Sequence, residues 1–258
     1  MKAFYTLLAI STLMIAVACK KVINVDLNNA ASEIVIEGIV TNTSTAQVRI
    51  SNSVNFSNSN IFPTVSGAMV TISDNLNNNY ILQETQPGIY TNNNLMGLPG
   101  HTYQLNVNTN GHIYTASSTM PYQVFMDTIL TDNISFGNKY IKIVEPLYSD
   151  PANVANYYWF IETIRQTVNK KIFVWDDNLT NGGISNRPLI EPDSTINTGD
   201  TIQVEMRCID KNIYNYVRGL EDLQNNGTTP ANPNTNISGG ALGYFSAQTR
   251  QIRKVKMP

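Results

Sequence analysis

The sequence predicts a mainly β protein with one helix, and three observations predict it. Apolar and polar residues alternate in short segments about ten residues apart, with turn formers between them, which is the pattern of sandwiches. Polarity comes from Asn, Thr and Ser, since only 14% of the 258 residues are charged. Asn fills roughly one position in eight, and such side chains favour turns and strand ends because they hydrogen-bond their own backbone. Only one stretch carries apolar residues at helical spacing. The expected architecture is an immunoglobulin- or transthyretin-like β-sandwich over 33–120, then a second β-rich domain over 121–258 with a helix near 211–223.

Residues 1–18 read as a lipoprotein signal peptide. Lys2 gives a positive start, and an apolar run from Ala3 to Ala18 is broken only by Tyr5, Thr6, Ser11 and Thr12. Ala16, Val17 and Ala18 set small side chains before Cys19, the order of a secretory signal. A cysteine at that point supplies the thiol that takes a diacylglyceryl group before cleavage. The competing reading, an uncleaved membrane helix, falls short of the ~20 apolar residues that a span needs. Residues 19–32 follow as a lipidated tether, with Val22, Ile23, Val25 and Leu27 as a possible strand.

The sandwich segments follow in order. They are Glu33–Thr41, interrupted by Gly38; Gln47–Ser51; and Ala68, Val70 and Ile72 before the turn at Asp74-Asn75. Tyr80–Glu84 and Ile89–Thr91 flank Pro87-Gly88. Tyr103, Leu105 and Val107 line one strand face, and Asn110-Gly111, the strongest hairpin signal in the chain, leads into Ile113–Met120. Val70, Ile72, Leu105 and Val107 are expected in the core.

Beyond Pro121, strands are expected at Tyr140–Val144, Asn156–Thr167, Lys171–Trp175 and Thr201–Ile209. Asn156–Thr167 puts Tyr158, Phe160, Glu162 and Ile164 on one face and Tyr157, Trp159, Ile161 and Thr163 on the other. Aromatics on two faces suggest core on one side and an interface on the other. Asp176–Asp200 reads as a long open loop, and loops of that length are usually functional or mobile. Asp210 can cap a helix carrying Ile213, Val217, Leu220 and Leu223, ended by Asn225-Asn226-Gly227. Thr228–Gly240 is a second open loop, and Leu242–Ser246 and Ile252–Val255 close the chain as two strands.

The formal net charge of -2 and the lack of a basic patch exclude nucleic acid as a partner. Of the two cysteines, Cys19 goes to lipid, and Cys208 shares a strand face with Ile202, Val204 and Met206 as a buried, inert thiol. His101 and His112 have no third ligand nearby. The carboxylates at Glu33, Glu37, Glu84 and Glu145 form no identifiable acid–base pair. Gly239-Gly240 lacks the following helix and lysine of a phosphate loop. No cofactor, metal or catalytic residue is expected. The candidate ligand surface is Trp175, Asp176, Asp177 and Asn178: a ring beside carboxylates and amides suits a sugar, against the plainer reading of a strand-ending Trp beside a polar turn. The same three polar residues are a weaker candidate for calcium.

Six local patterns carry a resemblance. They are CKKVINVDL (19–27), IVIEGIVT (34–41), SGAMVTISD (66–74), PGIY (87–90), LPGHTYQL (98–105) and GGALGYFSA (239–247). In this order they resemble a cell-envelope lipoprotein family of Bacteroidota, domain of unknown function 4249, over nearly the whole chain after the signal. Residues 66–107 are also similar to the regulatory-like sandwich modules attached to carboxypeptidases and to TonB-dependent receptors. The resemblance implies a non-enzymatic lipoprotein at the outer membrane, anchored through Cys19 and partnering an envelope complex of the TonB-dependent receptor class. It transfers no catalytic residues. The alternative is a surface binder of glycan or peptide using loops 175–186 and 224–240. Asp127-Thr128-Ile129, Asp193-Ser194-Thr195 and Asp200-Thr201-Ile202 resemble the short O-glycosylation pattern of this phylum, so Thr128, Ser194 and Thr201 are candidate acceptors.

Lipidation at Cys19 is directly testable. Two or three acyl chains give stable anchoring where one does not, at ~0.8 kcal/mol per buried methylene. Cys19→Ala is expected to leave the precursor uncleaved and unlabelled by metabolic palmitate. Labelling that persists in the variant would remove the basis of this reading.

Overall fold

Alternation places the strands of the first half. In β1 (Ile34–Thr41), β2 (Ala46–Asn52) and β3 (Met69–Asp74), every second side chain turns inward. The same holds for β6 (Thr102–Thr109) and β7 (His112–Thr119). β4 (Asn79–Gln86) and β5 (Ile89–Asn92) connect the two sets. The computed structural model describes residues 31–55, 61–191, 196–226 and 232–258. The signal, Cys19, the strand expected at Val22–Leu27 and Ser194 lie outside the described residues.

The second half holds β8 (Met126–Phe136), β9 (Lys139–Ser149), β10 (Tyr157–Ile164), β11 (Thr167–Val168), β12 (Phe173–Asp176) and β13 (Ile184–Ser185). β14 (Thr201–Cys208), α1 (Lys211–Asn226), β15 (Ile237–Ser238) and β16 (Leu242–Lys256) complete it. Thirteen strands form one sheet in the order β11-β10-β14-β16-β1-β2-β5-β4-β3-β6-β7-β15, with β12 paired to β10; β13-β9-β8 form a second. The chain is mainly β, with sandwich-like packing and a single helix among the described residues.

Two large cores result. The first packs Ile36, Val48 and Ile50 against Val70, Ile72, Leu105 and Val107, so the four expected core residues are buried together. The second packs Tyr158 and Phe160 of β10 and Ile202, Val204, Met206 and Cys208 of β14 against Ile129, Val144 and Tyr148 of the β8–β9 hairpin. Residues up to Met120 contribute only to the first core, and the second draws only on residues from Val124 on. Residues Ser32–Pro258 nevertheless make one unit, because β16 serves both cores. Its first half runs parallel to β1, Leu242 to Gln248 beside Val35 to Thr41. Its second half runs antiparallel to β14, Thr249 to Lys256 beside Cys208 to Thr201. Phe245 and Ala247 enter the first core, and Val255 and Met257 reach the second.

Three expectations are corrected and one strand is new. The two closing strands are one strand, since the polar Gln248 and Thr249 at its middle are buried rather than turned out. The strand expected over Asn156–Thr167 stops at Ile164, where Arg165 and Gln166 take φ of 47° and 70° and reverse the chain into β11. That is the geometry of a two-residue primed turn built without Gly or Asn. The long β8 is unannounced by alternation: a bulge between Met126 and Thr128 shifts its period, and beyond Ile129 none of the strand's described side chains is buried to mark an inward face. The loop expected open over 176–200 is stitched down as far as Leu189: Ser185 pairs with Tyr148, and the Leu189 amide donates to the Val144 carbonyl (3.0 Å).

The approach of β16 to β1 needs a glycine. Gly243 has φ of 97°, and a Cβ there would lie 2.1 Å from the Ile36 carbonyl oxygen. Gly240 shares the positive φ (87°) with no atom within 4 Å. Gly243→Ala is therefore expected to cost about 2 kcal/mol or more, and Gly240→Ala about 1 kcal/mol from backbone strain alone. Chemical denaturation measures both. Equal losses would show that the β1–β16 contact does not constrain the fold.

Candidate functional site

An open trough of about 1110 Å³ lies over the first sheet, and its floor follows from alternation. The residues of β3, β6 and β7 that do not face the first core face outward; beyond the row of Met69, Asn108 and Ile113, those on the trough's floor are hydroxyls and amides. Register sets them in two rows of three: Ser73, Gln104 and Ser117, then Thr71, Asn106 and Thr115. Neighbours stand ~4.8 Å apart across strands and ~6.8 Å apart along them. One wall is the β3–β4 turn, with Asp74, Asn75, Asn77 and Asn79; the other is Asn212 and Asn215 of α1 with Asn234, Thr235 and Asn236.

The one ionisable side chain among the described residues of the lining, Asp74, already has partners. Its Oδ1 accepts the Leu76 and Asn78 amides (2.9 and 3.0 Å), and its Oδ2 accepts the Asn78 side chain (2.8 Å). Desolvation pushes this carboxyl up, but the bonds from Asn78 and Leu76 outweigh it and hold the group below its ordinary range.

The second wall is fixed by side chains that stand in for backbone. The Asn236 amide donates to the carbonyls of Phe245 (2.7 Å) and Ser117 (3.2 Å) and accepts from the Phe245 amide (3.0 Å). It thereby closes the gap between β7 and β16 that strand pairing leaves open. Beside it, the Ser118 hydroxyl accepts the Ala247 amide (2.8 Å) and donates to Asp210. The other oxygen of Asp210 caps α1 through the Asn212 and Ile213 amides (2.9 and 3.0 Å), as the sequence predicts.

The expected ligand surface is built otherwise. Trp175 is buried, with one ring neighbour in Phe160 (4.7 Å between centroids) and the Arg187 guanidinium 4.7 Å from its ring centre. No face is left on which a sugar could stack, so that expectation is corrected: the ring is core. Asp176 accepts the Asn178 side chain (2.7 Å), and buried Asp177 accepts the Asn156 amide (2.9 Å). The three polar residues close a turn on themselves, with only Asn178 exposed. Of the two expected binding loops, only the second contributes to the trough, through residues 234–238. Thr128 and Thr201 are both exposed.

The face of β10 expected at an interface is also covered. Tyr157 packs on Tyr214 of α1 (4.9 Å), and Trp159 lies under the Arg207 guanidinium (4.6 Å) and beside Tyr244. Ile213 and Val217 of α1 complete this third cluster. Arg207 and Arg250 both bind the buried Glu205 (2.6 and 2.8 Å). The Cys208 thiol is buried against Val124, and burial pushes its pKa up, away from reactivity.

Sequence reasoning missed the trough. Its signal was the polar half of each alternating strand, which reads locally as ordinary solvent-facing surface.

One buried acid gives a pH test. Glu162 is 1% exposed; its Oε2 accepts the Asn169 side chain (2.7 Å) and its Oε1 has no partner among the described residues. Desolvation, with repulsion from Glu191 and against the Asn169 bond, raises its pKa above 4.5. The folded state therefore keeps a proton that the unfolded chain releases, and stability falls as pH rises from the unfolded value through the folded one. Glu162→Gln, which copies the protonated form, is expected to melt higher than wild type at pH 7.5, with the gap closing below about pH 4.5. A gap that is constant with pH would mean that Glu162 does not titrate between the two states.

No curated protein matches the chain. One family model does, described as Domain of unknown function (DUF4249), over residues 20–253. That span takes in every described element from β1 to most of β16, trough included, and the chain belongs to this family.

Proposed function

We propose that the protein is a non-enzymatic, lipid-anchored lipoprotein of the outer membrane of Bacteroidota. It acts as an accessory or partner of an envelope transport complex of the TonB-dependent receptor class, and the trough is its binding surface. The signal with Cys19 after small residues supports the anchor. The similarity of residues 66–107 to the immunoglobulin-like regulatory modules of such receptors supports the partnership.

The observation that carries a binding role is the state of the trough's floor. None of the six side chains in its two rows makes a hydrogen bond within the described residues. Elsewhere the amides of Asn42, Asn92, Asn236, Gln224 and Gln251 are all bonded. A sheet face that holds a regular array of unengaged donors and acceptors, walled on two sides, suits recognition. The buried ionisable groups Glu205 and Asp150 are meanwhile engaged with Arg207, Arg250 and Tyr158.

The test introduces charge into the floor. Thr71→Arg with Thr115→Arg places two guanidinium groups on outward positions and should leave the melting temperature within a few degrees, since surface changes rarely exceed about 0.5 kcal/mol each. Affinity purification from native membranes is expected to lose an envelope partner that wild type retains. A folded double variant that keeps every partner would rule the trough out as the contact.

A further inference from the structure

We infer that the trough binds a neutral oligosaccharide, held by the two rows of hydroxyl and amide side chains on its floor. The inference rests on the reading of the trough as a binding surface for an envelope partner and names the chemistry that it grips on that partner, a neutral glycan.

Charge restricts the ligand first. Among its described residues the lining has one ionisable side chain, Asp74, with both oxygens bonded inside the turn. An anionic ligand would find no cation, and a cationic one would have to break the Asp74 turn. Apolar content restricts it next. Among the described residues of the lining only Leu105 and Ala116 are apolar, and both are buried in the first core. A peptide needs pockets for apolar side chains, or an open strand edge to pair its main chain. The floor offers neither: it is the face of strands paired on both sides, β3 between β4 and β6, β6 between β3 and β7, and β7 covered along its floor residues by β15 and Asn236.

A neutral sugar matches what remains. Each of its hydroxyls both donates and accepts, as do the hydroxyls of Ser and Thr and the amides of Asn and Gln. The grid is dense enough for each ring of a chain to meet more than one side chain. The open, two-walled shape admits a chain of several rings rather than a single enclosed one. With no aromatic platform in the lining, affinity comes from hydrogen bonds summed along the chain. Longer oligosaccharides should therefore bind more tightly than short ones.

The experiment uses the full chain in detergent and saturation-transfer NMR. The probes are neutral gluco-, manno-, xylo- and N-acetylglucosamine oligosaccharides of two to six rings, a polyuronate of matching length, and an uncharged extended peptide. Binding of at least one neutral series is expected, strengthening with length and absent for the polyuronate. Gln104→Ala with Asn106→Ala removes the two central amides and should weaken it at least about tenfold with the melting temperature unchanged. Binding that ignores the double variant overturns the inference, as does binding of the peptide in place of any sugar. If no sugar binds while Thr71→Arg with Thr115→Arg still strips an envelope partner, the ligand is wrong and the trough remains a protein contact.

Discussion

The fold depends on β16 changing partner halfway along its length. Up to Gln248 it is the parallel neighbour of β1; from Thr249 it is the antiparallel neighbour of β14. One extended strand therefore holds two cores in a single sheet. The change leaves each half of β16 with one side unpaired, and buried backbone groups without partners are costly. Much of the remaining structure supplies those partners.

They come from side chains: the Thr235 hydroxyl donates to the Gly243 carbonyl, and the Ser118 hydroxyl and Asn42 amide oxygen accept the Ala247 and Arg250 amides. Asn236 takes both ends of Phe245 on the open side of the parallel half. Gln251 offers both ends of its amide to the backbone of Met126, accepting its N–H (2.8 Å) and donating to its carbonyl (3.1 Å), and so ties β16 to β8. Gln224, near the end of α1, does the same between the Ile172 amide and the Lys170 carbonyl. A primary amide has the donor and acceptor of a peptide unit and can occupy its place where a strand cannot reach. The high Asn content thus has a structural use beyond turns.

The trough is the complement of this arrangement. Its floor carries the same residue types with their hydrogen-bonding groups unengaged, on the outer side of strands whose inner side is core. The aromatic residues that suggested an interface lie elsewhere and are covered. α1, anchored by Asp210 to Ser118, lays Ile213 and Val217 over the outer face of β10, β12 and β16. The trough beside the first core is lined mainly by polar side chains, while the aromatic face of β10 lies beneath the helix.

The sequence by itself determined what is local. Alternation set the inward faces of β1 to β3, β6 and β7, and Asn110-Gly111 closed a hairpin with φ of 52° and 77°. Asp210 marked the helix start, and Cys208 its place among Ile202, Val204 and Met206. These features are encoded in residues a few positions apart, where backbone preference and side-chain period act directly. Tertiary structure alone decided the join of the last two strands, the burial of Trp175 and the trough. Each depends on partners far away in sequence: Asn236 meets Ser117 across 119 positions, and Gln251 meets Met126 across 125. An amide carries the same local signal whether it will bond a distant backbone, cap a turn or face a ligand. Only the packing of the strands around it selects which.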